Sequence, residues 1–164
     1  MDSGEFKVLV YGYGNPGRMD DGIGVEIAER IEREFPGIAV DSNYQLNVED
    51  AYRLSGIDAV IFVDASLDSG EPFEFRRVEP SLNITFTTHS MLPDSVLSLC
   101  AELYGRHPDA YVLAVRGYSW DLNEGLSAGA KANSERAYEF LRDLLQNPSP
   151  RAFKDAADDE KTIN

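Results

Sequence analysis

One cysteine, Cys100, occurs in the whole 164-residue chain. A lone thiol excludes an intramolecular disulfide and any cysteine-based structural zinc site. The expectation that follows is a reducing, cytoplasmic setting. Long apolar runs are missing too, and none approaches the ~20 residues that a membrane-spanning helix needs. The first residues, MDSGEFK, are polar and acidic, with neither the basic start nor the apolar core of a signal peptide. Positive charge is scarce: 15 Lys and Arg stand against 29 Asp and Glu, a net charge of −14. Such a surface repels nucleic-acid backbones and anionic membranes, so neither is expected as a partner. Neither a Gly-x-Ser-x-Gly elbow nor a His-Glu-x-x-His helix occurs, which leaves serine-hydrolase and zinc-protease readings unsupported.

What remains is an ordinary globular composition, 43% hydrophobic and 27% charged, in a length that suits one domain with a full core. Residues 7–11 (KVLVY) read as a buried strand, and 25–35 carry apolar residues at helical spacing before Pro36-Gly37. A short strand at 38–40 and a helix from Asn47 to Leu54 follow. Residues 59–63 (AVIFV) are apolar throughout, as in a strand covered on both faces, and Asp64 comes immediately after. Residues 72–78 alternate like a half-exposed edge strand, and 84–88 read as an extended segment delivering His89. Pro93 suits a helix start, 111–115 (YVLAV) form the last central strand, and 126–146 form a long amphipathic helix. Strands alternating with helices predict an α/β fold: three layers, a mostly parallel, twisted sheet of about five strands, helices on both faces and an edge strand. The domain is expected over 1–146. Residues 147–164 lack periodicity and large apolar residues, so an acidic, disordered tail is expected there.

Between the first strand and first helix lies GYGNPGRMDDGIG, residues 12–24. Its opening satisfies the dinucleotide fingerprint G-x-G-x-x-G, and Asp41 lies about where a ribose-binding acid belongs. Two carboxylates at the helix mouth, however, would repel a pyrophosphate. Asp20 is expected to be an N-capping residue. Asp21 needs partners, and the strand order supplies them. In parallel sheets sites gather at the carboxyl ends of strands, and Asp21, Asp64 and His89 each follow a strand-like run. Two carboxylates and an imidazole suit a borderline divalent cation, or equally an Asp–His acid/base pair. His107 falls at the opposite rim, and Cys100 on an inner helix face as a buried small hydrophobe. Tyr118 and Trp120 lie on the site rim, either as a partner surface or packed against the last helix.

VLVYGYGNPGRMDDGIGVEIAERI, with AVIFVDAS, TTHSMLP and RGYSWDLNEGLS, resembles the hydrogenase maturation endopeptidases across about 7–145. The resemblance implies an aspartic-type endopeptidase that removes the C-terminal extension of a nickel–iron hydrogenase large-subunit precursor once nickel is inserted. It implies that Asp21, Asp64 and His89 form the site and recognise nickel. The first position is Glu or Asp in the family, and this chain carries the shorter acid. The metal belongs to the substrate, so no permanent cofactor is expected. The nickel-loaded precursor is the expected partner of a monomeric enzyme. The alternatives are an assembly factor that binds without cutting and a dinucleotide-binding module.

Overall fold

The computed structural model describes residues 5–81 and 91–162. Side chains are described to residue 159. Residues 82–90 lie outside it, and with them the extended segment expected at 84–88 and His89.

β1 (Val8–Tyr13) leads through a 3-10 turn (Met19–Gly22) into α1 (Ile23–Glu34), and β2 (Ala39–Asn43) follows. Next come α2 (Asp50–Ser55), β3 (Ala59–Ser66), β4 (Phe73–Val78), α3 (Pro93–Tyr104) and β5 (Asp109–Arg116). α4 (Ala128–Gln146) and α5 (Pro150–Thr162) end the chain. The strands lie in the order β2-β1-β3-β5-β4. All neighbours run parallel except β4, which pairs antiparallel with β5 and forms the expected edge.

Apolar residues on both faces of the sheet make two cores. On one face Val10, Ile61, Val63 and Leu113 pack with Ile27 and Ile31 of α1, Leu141 of α4 and Phe153 of α5. On the other, Leu9, Tyr11, Val60 and Phe62 pack with Leu54 of α2 and Val96, Leu97 and Cys100 of α3. Val8 to Val63 thus contribute to opposite layers at alternate positions, as a pleated strand requires. Cys100 is fully buried and burial pushes its thiol pKa up, which suits a packing role and not a nucleophile.

The tail corrects one expectation. Residues 150–162 form a helix, with Pro150 at its start and Ser149 Oγ accepting the Ala152 N–H at 3.0 Å. Phe153 is fully buried, edge-on to Tyr111 at 5.8 Å between centroids and tilted against Phe6 at 5.7 Å. With few apolar residues in the segment, two carry the docking, Phe153 and Ala157 four positions on. That stripe is too sparse to stand out as periodicity. Phe153→Ala is expected to cost about 3–5 kcal/mol in urea unfolding. A tail that did not dock would change stability by no more than about 0.5 kcal/mol.

Candidate active site at the carboxyl rim of the sheet

After β1 the chain turns back over the sheet to start α1, and glycines set how closely it does so. A Cβ on Gly12 would stand 2.1 Å from the Gly24 carbonyl oxygen, and one on Gly24 would stand 2.2 Å from that of Val63. Only bare backbone lets the first turn of α1 lie directly on β1 and β3. Gly14, at φ 137°, turns the chain out of β1, and its amide donates to the Asn43 carbonyl at 3.1 Å.

That turn lifts Asp21 to the rim. Its Oδ2 accepts the Asn15 N–H at 2.8 Å, while Asn15 Oδ1 accepts the Gly17 N–H at 2.9 Å. These are the amides a phosphate would have needed, so the loop is closed upon its own acid. Asp41, the ribose-binding candidate, is paired with Arg53 at 2.9 Å. The dinucleotide reading thereby loses its geometric basis.

Asp64 is not beyond β3 as expected but inside it, because the strand continues to Ser66 alongside β5, with Asp64 opposite Ala114. Asp21 and Asp64 line one cavity of about 460 Å³, together with Arg18, Ala65, Ser66, Leu67, Asp68 and Trp120. The cavity lies where β1 leads outwards to β2 and β3 leads the other way. Open α/β sheets bind ligands at such a reversal of strand order. Burial, reinforced by the negative charge of Asp21, raises the Asp64 pKa to about 7. The Tyr13 hydroxyl and the Ala65 N–H favour its charged form but do not offset burial. Tyr13 in turn packs edge-on to Phe62 at 6.4 Å.

Asp20 departs from its expected role. It sits within the 3-10 turn, fully buried, and caps no helix. Its carboxylate accepts the N–H groups of Tyr118 (2.7 Å), Ser119 (2.9 Å) and Ser127 (2.7 Å), and the Ser127 hydroxyl (2.7 Å). Burial alone would raise its pKa, but the bonds from Ser127, Tyr118 and Ser119 outweigh it and hold the carboxyl below the usual range. Arg18 Nε and Nη2 donate to the Trp120 carbonyl at 3.3 and 3.2 Å, joining the same two loops. Trp120 thus walls the cavity, whereas Tyr118 leans on α4. Its hydroxyl donates to Glu71 and accepts from Asn133 Nδ2 at 2.8 Å.

Asp21 and Asp64, the acids singled out from the sequence, line the same cavity, and the structure adds Arg18 and Asp68 to that lining. Ser66-Leu67-Asp68 directly after a buried strand was the available signal for Asp68. His89 lies outside the described residues. Met91, two positions later, pairs with Leu46 beyond the carboxyl end of β2. His107 precedes β5, at the opposite rim as expected. Among the described residues no three His, Cys, Asp or Glu are grouped so as to hold a metal ion.

No protein-family model and no curated protein matches the sequence. Solved structures do. The [NiFe] hydrogenase maturation protease HycI of Thermococcus kodakarensis is 28% identical and superposes with a TM-score of 0.68, over 88% of this chain and 96% of that one. The hydrogenase maturating endopeptidase HybD of E. coli is 22% identical with a TM-score of 0.66, over 86% and 93% of the two chains. A hydrogenase 2 maturation peptidase of a Thaumarchaeota archaeon gives 22%, 0.63, 85% and 98%.

Its fold is that of the hydrogenase maturation proteases. By likeness to these neighbours it is a peptidase, with the α/β fold expected from its sequence. Among the described residues no helix is long and apolar enough to cross a membrane.

A raised carboxyl pKa has a consequence for stability. Folded Asp64 keeps its proton to about pH 7, whereas an ordinary aspartate gives it up near 3.8. Unfolding between those values therefore releases a proton, and stability falls as pH rises from about 4 to about 7. Asp64→Asn removes that loss. Its stability relative to the wild type should improve by on the order of 3 kcal/mol between pH 4 and pH 8 in urea titrations. A difference independent of pH would contradict a raised Asp64 pKa.

Proposed function

We propose that this protease removes the C-terminal extension of a nickel–iron hydrogenase large-subunit precursor after nickel insertion, and that Asp21, Asp64 and His89 read the substrate-bound nickel. One observation carries the reading: Asp21 from the turn after β1 and Asp64 from β3 line one open cavity, and burial together with the charge of Asp21 raises the pKa of Asp64. Sites of catalysis gather such perturbed acids. The Thermococcus relative, described as a [NiFe] hydrogenase maturation protease, supports that substrate class.

Two carboxylates and an imidazole are hard-to-borderline donors, able to contact nickel without stripping it from substrate thiolates. The metal enters and leaves as part of the substrate, and the enzyme needs no resident cofactor. In the peptide-cleaving step, Asp64, whose pKa burial and the charge of Asp21 raise to about 7, is able to hold a proton near neutral pH. One carboxyl takes a proton from the attacking water and the other gives its proton to the departing amine. The new carboxylate and amine then separate, and the dyad is left with its original single proton. The Trp120 wall and the Arg18 guanidinium confine the scissile segment above the acids. The enzyme acts as a cytoplasmic monomer that meets the precursor transiently.

Purified protein incubated with nickel-loaded and nickel-free precursor is the test, read by the mass of the large subunit. The expected outcome is loss of a C-terminal peptide from the loaded form alone, abolished in Asp21→Ala, Asp64→Ala and His89→Ala. Unchanged mass with a stable complex would make the protein a non-catalytic assembly factor. Normal cleavage by all three variants would refute the site.

A further inference from the structure

Asp20 is the most heavily bonded acid of the rim, yet the cleavage just described uses Asp21 and Asp64. We propose that Asp20 is a positioning residue, which seats the Trp120 wall of the cavity against Asp21 and Asp64. The inference rests on the peptidase reading for its catalytic consequence but not for its structural one.

The geometry joins the two loops through a single carboxylate. Tyr118, Ser119 and Ser127 all donate to it, with 98 to 107 residues between each of them and Asp20 along the chain. Trp120 lies within that bonded span. Its indole is pressed against Gly117, where an added Cβ would stand 3.1 Å from Cη2, 3.2 Å from Cζ2 and 2.9 Å from the Asp20 Cβ. Asp20 also donates its own N–H to the Ser119 carbonyl at 3.0 Å, and Met19 donates to the Asn123 carbonyl at 2.8 Å. The loop from Gly117 to Ser127 is therefore stitched to the residue immediately before Asp21. Ser127 Oγ has a second task, accepting the Ala130 N–H at 3.3 Å as the cap of α4. Asp20 thereby ties three things together: the helix that follows the loop, the tryptophan in the loop and the acid beside it. An amide side chain in its place keeps the shape but turns one acceptor into a donor facing N–H groups.

Trp120 is the only tryptophan, so its fluorescence reports this wall alone. Asp20→Asn in the full chain should increase acrylamide quenching of Trp120 and shift its emission to the red. Cleavage per folded molecule should fall by at least about tenfold, as misplacement near a reacting group does. Gly117→Ala keeps the Asp20 carboxylate but crowds both the Asp20 Cβ and the indole, and should reproduce both changes. If Asp20→Asn does not fold, Gly117→Ala and Ser127→Ala carry the test by the same two readings. Unchanged quenching in folded variants overturns the proposal, and so does increased quenching with unchanged cleavage per folded molecule. Failure of the wild type to cleave would instead contradict the peptidase reading, with quenching still deciding whether Asp20 seats Trp120.

Discussion

Backbone-to-backbone contact between the start of α1 and strands β1 and β3 governs the geometry of the rim. With Gly12 and Gly24 no side chain separates the first turn of the helix from the sheet, so Asp21 and Gly22, just before Gly24, are drawn over the strand ends. A single methyl at either glycine would collide with a carbonyl at about two-thirds of a normal contact distance. The helix would have to rise, taking Asp21 away from Asp64. Small residues here are a requirement of distance and not of flexibility.

Two acids of the rim, Asp20 and Asp64, meet opposite electrostatic conditions. Asp20 is closed off from water but receives four hydrogen-bond donors, so its charge is stabilised and its pKa lowered. Asp64 is buried with less compensation and faces the charge of Asp21, so its pKa rises to about 7. Environment, and not residue type, divides the roles: Asp20 fixes structure, while Asp64 can exchange a proton near neutral pH. A fold that only had to be stable would not leave Asp64 so poorly compensated.

Much of this was legible in the chain. Strands such as AVIFV and helix 25–35 announced themselves by periodicity, and their alternation implied a parallel sheet with its site at the carboxyl ends. Asp21 and Asp64 were found by asking which acids follow strands. Asp20 was misread, since an acid before a helix resembles a cap and its donors come from about a hundred residues away. No local pattern carries that information. The docking of α5 was hidden for a similar reason: two apolar residues in a charged segment suffice when Tyr111 and Phe6 wait to receive one of them. The dinucleotide fingerprint, already disfavoured by the two acids at the helix mouth, loses its remaining support in the structure. Its glycines are real, but the amides they free are already bonded to Asp21 and Asn15.

The pairing of Asp21 with Asp64 is the claim on which the proposed chemistry stands. It is tested most directly by following the Asp64 side-chain carboxyl carbon by NMR through a pH titration, in the wild type and in Asp21→Asn. A midpoint near 7 is expected in the wild type, moving to lower pH when the charge at position 21 is removed. A midpoint close to the ordinary aspartate value, indifferent to position 21, would contradict the account.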